Sequence, residues 1–308
     1  MSVPITVVGL GCELDRVYAG QAPALPLPAP PAREDLRDLF DTVRGPIRSG
    51  ETVVIIVGDW LPPETLKRVQ TVHSLLATDR VAIYVTDLPP LATSVLAAVA
   101  AAIGPYAQSA GALAGALDAI ADRLLIVAWA GSVSGLDHSA VSIVDHARSA
   151  LPWTSFGIGI QPESFVQSLR GTPSPPPLSP PRHPVDLLVA PAAEGELSWI
   201  VEMVAPALGG AAVRQLPPTL HGAEWWGTDK LVEAVGVPSS LDWIAQAALP
   251  RTLAPCAWCG EPIAGGPCPF CGDSTFESAS AVRARERSSG VVPASAIAVG
   301  RRSGHPGE

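Results

Sequence analysis

Short apolar runs alternate along this chain with longer segments whose apolar residues recur every three or four positions. Ile5–Leu10 (ITVVGL), Thr52–Val57 (TVVIIV), Val81–Val85 (VAIYV), Leu124–Trp129 (LLIVAW), Ser155–Ile160 (SFGIGI) and Val185–Val189 (VDLLV) are β-branched or apolar throughout, as buried strands are. Between them lie stretches with a helical period. In Pro63–Thr78, Leu66, Val69, Val72, Leu75 and Leu76 share one face, and further helices are predicted over 33–48, 91–103, 107–122, 136–151 and 195–207. Strands without a polar face, separated by helices, predict an α/β fold with a mostly parallel, doubly wound (Rossmann-like) sheet.

Proline sets the boundaries. There are 33 prolines, concentrated in 22–32, 172–184 and the helix-entry turns. TPSPPPLSPPRHP (172–184) can be neither helix nor central strand, because proline has no amide donor, so it is a stiff insertion within the sheet. The predicted division is an α/β domain over 1–250, a cysteine-rich segment over 252–277 and a disordered basic tail over 278–308. No charged residue occurs between Asp87 and Asp118, but Pro89, Pro90, Gly104 and Pro105 break the span, which predicts buried helices and no membrane crossing. The opening MSVPITVVGLG lacks the basic and apolar regions of a secretory signal, which predicts a cytoplasmic setting.

Charge narrows the partners. The chain holds 20 Lys+Arg against 29 Asp+Glu, a net −9, while the tail alone holds five arginines (283, 285, 287, 301, 302) and two glutamates. An acidic body argues against nucleic-acid binding there and leaves the tail as the only place where positive charge could engage it.

Four of the five cysteines stand as Cys256-Ala-Trp-Cys259 and Cys268-Pro-Phe-Cys271, each pair followed by a glycine, Gly260 or Gly272. Two C-x-x-C turns can present four thiolates to one tetrahedral ion, and the glycine supplies the positive φ that such a turn needs. The predicted cofactor is structural Zn²⁺, with all four ligand places taken by cysteine. The segment resembles the short zinc ribbons with rubredoxin-like knuckles. It carries no Lys or Arg between Thr252 and Glu277, so the expected contact is protein, through Trp258 and Phe270 or with these two forming its own core. Cys12 reads as a small buried apolar residue.

In a parallel sheet, ligands sit beyond the carboxyl ends of the strands. Gly9 and Gly11 begin a dinucleotide-like pattern that no helix follows, and Gly131-Ser132-Val133-Ser134-Gly135 is a strand-to-helix turn able to cradle an anion. Gly9, Gly11, Gly131, Ser132, Ser134 and Gly135 are the candidate nucleotide loops. Asp59 and Asp87 could hold Mg²⁺, although Asp and Pro at these positions equally suit helix entry, which is preferred. His138 and His146 fall on a polar helix stripe. His221 and Glu224-Trp225-Trp226 form either a core plug or a binding surface.

Asp122–Phe165, from strand through the Gly/Ser loop to SFGIGIQP, resembles the central part of the tubulin-like GTPases, and Ser240-Leu241-Asp242-Trp243 is similar to their catalytic loop. The loop keeps two glycines and no threonine, and the second acidic place falls at Gln246. That resemblance implies a divergent GTP-binding protein with weak or lost hydrolysis. With no complete set of catalytic residues, the first expectation is a non-catalytic zinc-ribbon scaffold that binds protein partners or self-assembles. The GTP-binding relative is the second.

Overall fold

The computed structural model describes residues 3–12, 25–27, 35–136, 154–169 and 175–273, with backbone alone at 25–27 and 35. The helix expected over 136–151, His138, His146, most of the first proline-rich loop, the start of the second, and the 278–308 tail lie outside the described residues.

The N-terminal half forms a parallel sheet in the order β2-β1-β3-β4, from β1 (Ile5–Leu10), β2 (Leu25–Leu27), β3 (Thr52–Gly58) and β4 (Val81–Thr86). Its registers pair Val7 with Val54 and Ile55 with Ile83. The apolar strands make sense because both faces are covered. Val53, Ile55 and Val57 pack with Leu39 and Val43 of α1 (Asp35–Arg48) and with Val69 and Val72 of α2 (Pro63–Leu76). Val7, Val54 and Ile56 face the other way, onto α3 (Pro90–Ile103). Every residue of α3 is buried.

The expected single doubly wound sheet is corrected in its second half. Strands β5 (Leu125–Ala130), β6 (Phe156–Gln161), β7 (Phe165–Ser168), β8 (Val185–Pro191), β9 (Ala212–Gln215) and β10 (Leu231–Pro238) make a separate sheet, ordered β7-β6-β5-β10-β8-β9. Only β8 and β9 run parallel. The other four pairings are antiparallel. An apolar run marks a strand as buried on both faces and says nothing of its neighbour's direction, so the reading found strands and missed their pairing. The segment after β8 covers one face of this sheet, where Trp199, Ile200, Val204 and Leu208 meet Val127, Val189 and Val232. It includes a π-helical turn at Ile200–Val204 leading into α6 (Ala205–Ala207).

The other face looks at α3. This helix touches β1 and β3 on one side and β10 and α8 (Leu241–Ala248) on the other, so it is the layer between the sheets. The charge-free span from 87 to 118 is thereby explained as interior. No helix among the described residues is long and apolar enough to cross a membrane.

Two short helices, α4 (Ala110–Ala114) and α5 (Leu117–Ala121), precede β5. The cysteine-rich segment follows α8 as a two-stranded hairpin of β11 (Ala254–Pro255) and β12 (Pro262–Ile263). It lies against the body: Cys256, Ile263, Cys268 and Phe270 belong to the same core cluster as α3.

Candidate functional site

Where α3 begins, the seam between the sheets turns polar. Pro90 brings no amide, and the next donor, the Leu91 N–H, donates to Glu233 Oε1 at 3.3 Å. Trp226 Nε1 donates to the same oxygen at 3.1 Å, and the Thr219 hydroxyl donates to Oε2. Glu233 projects from β10, the central strand that carries α7 (Gly222–Trp226) just before it, and only 2% of it is exposed. Burial pushes its carboxyl above the usual range, while these three donors pull the other way. Thr93 and Ser94 satisfy themselves on the preceding turn, donating to Leu88 O at 2.8 Å and Pro90 O at 2.9 Å. Cys12 faces this region, and burial pushes its thiol up to about 12, so it is an inert apolar residue as expected.

The candidate rim loops converge on a filled layer. Gly9 lies within β1, paired with Ile56. A side chain at Gly11, whose φ is +69°, would press on Trp60 and Leu61 at 3.1 Å. Trp60 donates through Nε1 to Leu88 O at 2.9 Å, and its ring centroid lies 5.2 Å from that of His221. It also packs against the cluster of Val133, Leu136, Phe156, Trp225 and Trp226. Trp225 and Trp226 thus close a core, as in the core-plug reading of HGAEWWGTDK. Gly135 meets Gly227 backbone to backbone, and a Cβ at Gly227 would come within 2.4 Å of Gly135 O. Gly131 donates its N–H to Lys230 O at 2.8 Å. The Ser132 and Ser134 hydroxyls bond each other at 2.8 Å. Gly9 and Gly131 thus serve strand pairing, Gly11 and Gly135 close packing, and the two serines bond each other within the turn.

Register sets the Gly/Ser loop and the Ser240–Trp243 turn at opposite ends of β10. Ala130 pairs with Leu231 at the start of β10, whereas Asp242 follows Pro238 at its far end. Seven strand steps place the loops about 24 Å apart along the sheet. Asp242 is exposed and takes a hydrogen bond from Tyr106, whose hydroxyl it pushes up. Asp59 and Asp87 are both exposed beyond β3 and β4.

The four cysteines do come together. Their Sγ atoms all lie within 4.8 Å of one another, with Cys256–Cys271 at 3.7 Å and Cys259–Cys268 at 3.6 Å. The two turns repeat one geometry. Gly260 N–H donates to Cys256 O at 3.0 Å and Gly272 N–H to Cys268 O at 2.9 Å, with φ of +76° and +74°. Amides of Trp258 and Cys259 point at the Cys256 sulfur and lower its pKa, and those of Phe270 and Cys271 do the same for Cys268, where burial outweighs them. Of the two aromatic residues inside the turns, Phe270 is buried in the core and Trp258 is 82% exposed.

Sequence reasoning missed Glu233. Its signal was visible as the single acidic residue inside the apolar run LVEAVGV.

No protein-family model matches the chain, and a search of the curated proteins returns no match. Solved structures do match. A fatty-acid-binding DegV family protein from Thermus thermophilus superposes with a TM-score of 0.53 at 12% identity, over 77% of this chain and 100% of that one. A DegV family protein from Corynebacterium glutamicum gives 0.51 at 13%, over 77% and 98%. The Fatty Acid Kinase B3 protein of Streptococcus pneumoniae, loaded with linoleic acid, gives 0.51 at 11%, over 78% and 100%. The shared property is the fold. These matches overturn both resemblances, to tubulin-like GTPases and to zinc-ribbon proteins, and with them the adaptor and GTP-binding readings. Over about three-quarters of the chain the two-sheet architecture is the fold of these structures.

Proposed function

We propose that this protein binds an acyl-chain lipid in the seam between its two sheets. The observation that carries the reading is α3, a helix of 14 residues without a charge, wholly buried between the sheets of a fold shared with fatty-acid-binding proteins. An acyl chain needs walls of this kind, because each methylene it removes from water contributes about 0.8 kcal/mol. The polar end of the seam supports a choice of head group. Its described donors already serve the Glu233 carboxyl, so a second carboxylate would compete for N–H and O–H groups that are engaged and would sit beside another acid. An uncharged ester or alcohol is the better fit. A reducing, cytoplasmic setting suits a chain that keeps five free thiols.

Solvent extraction of the purified protein followed by mass spectrometry tests the reading. An acyl lipid recovered near one per chain, and a stripped protein that binds a glyceryl monoester of palmitate saturably, are expected. Lipid-free protein that binds neither the ester nor palmitate would sink it.

A further inference from the structure

We propose that Cys256, Cys259, Cys268 and Cys271 hold one Zn²⁺ in a closed structural site, and that this ion pins the C-terminal segment onto the open edge of the parallel sheet. The inference is independent of lipid binding. The donors are four thiolates, the set that tetrahedral zinc favours, and zinc bound to sulfur at about 2.3 Å needs sulfurs about 3.8 Å apart. Two pairs across the turns lie at 3.6 and 3.7 Å. A disulfide requires about 2.0 Å. Both contacts join one turn to the other, and all four Sγ atoms lie within 4.8 Å of one another, so the arrangement encloses a point between the turns. Backbone amides of Cys259 and Trp258 face the Cys256 sulfur, and those of Cys271 and Phe270 the Cys268 sulfur, as the outer hydrogen bonds of a metal–sulfur site do. With four cysteines bound, no place is left for substrate or water, and the role is structural.

What the site secures follows from its contacts. β4 is the edge of the parallel sheet, and the Ile83 N–H on that edge donates to Pro269 O, inside the second turn, at 2.9 Å. On the neighbouring side, Gly111 admits the Pro262 carbonyl so closely that a Cβ would lie 1.9 Å from it, and Ser109 Oγ reaches the same carbonyl at 3.5 Å. Ile263 and Phe270 complete the core against α3 and its neighbours. The segment has two short strands of two residues each to order it, too little to hold these contacts alone. An edge left open is a template for pairing with another chain, and the metal-held turn closes it.

Metal analysis of the reduced full chain, purified without a histidine tag, should give about one zinc per chain. Replacement by Co²⁺ should give the absorption of a tetrahedral tetrathiolate. Chelation should speed exchange of the Ile83 amide by roughly tenfold or more, because it releases the turn that accepts its hydrogen bond. Cys271→Ser alters the exposed ligand and should lose the metal, while Trp258→Ala, beside the ligands but 82% exposed, should keep it and leave Ile83 protected. Iron in place of zinc, a Cys–Cys disulfide in freshly reduced protein, or a folded chain that takes up neither zinc nor cobalt would overturn the site. A zinc-loaded chain whose Ile83 amide exchanges equally fast before and after chelation would overturn the pinning.

Discussion

Glu233 shows how one side chain can hold two layers together. Its carboxyl gathers donors from α3, α7 and the loop before it, and among the described residues its partners include no Lys or Arg. Because burial raises its pKa, the folded chain binds this proton more tightly than the unfolded one. Stability contributed here is therefore present at low pH and declines as pH rises from about 4.5 through the raised value. Glu233→Gln keeps an oxygen for Leu91 and Trp226 and should remove that slope, so its urea midpoint should gain on the native protein steadily from pH 4.5 upward. A constant difference across that range would refute the account. Glu233→Leu strands three buried donors and should cost about 3 kcal/mol or more, at about 1–3 kcal/mol for each group left unsatisfied. At this scale the geometry of the two cysteine turns was legible, since spacing and the following glycines describe a local turn. Glu233 was not legible as a hub, because none of its three donors lies within six residues of it.

Among the elements, the helix entries follow sequence rules closely. Ser240 stands just before α8 and its hydroxyl accepts the Trp243 N–H at 3.2 Å, an N-cap in the usual sense. Ser240→Ala should cost about 1 kcal/mol, read as a lower denaturant midpoint with an unchanged slope. A change in slope would mean that the residue matters to the compactness of the whole. Pro63 and Pro90 likewise open α2 and α3 in the first turn, where a missing N–H costs nothing. Asp59 and Asp87 precede these entries, yet neither side chain caps the helix that follows: the N-cap residues are Pro62 and Pro89, which make no side-chain bond. Strand positions were legible for the same local reason. β10 was overlooked because Glu233 and Gly236 break its apolar pattern, although it is the strand on which both neighbours of the second sheet depend.

At the scale of the molecule, the C-terminal segment is part of one continuous core. Deleting 251–308 would uncover the β4 edge and the apolar surface that Ile263 and Phe270 cover. The shortened chain should self-associate in a concentration-dependent way by light scattering, where the full chain does not to the same degree. A truncated protein that stays monomeric and equally stable would show that the edge needs no cover. Direction of pairing, the division into two sheets and the placing of α3 between them were not legible, and the tubulin-like resemblance arose from that gap. A strand, a glycine-bearing turn and a helix look alike in many α/β folds until the partners of the strand are known.

The sequence by itself determined what is local: buried strands, helix entries and two glycine-ended cysteine turns. Each depends on residues within a turn or two of one another, where sterics and hydrogen bonding act over a few ångströms. Only the tertiary structure decided that β10 runs against β5 and β8, that Glu233 takes its donors from three separate stretches of chain, and that the cysteine turns rest on β4. Those outcomes depend on contacts between residues as far apart as Ile83 and Pro269, and the pattern of apolar residues states that a surface must be covered without stating by what.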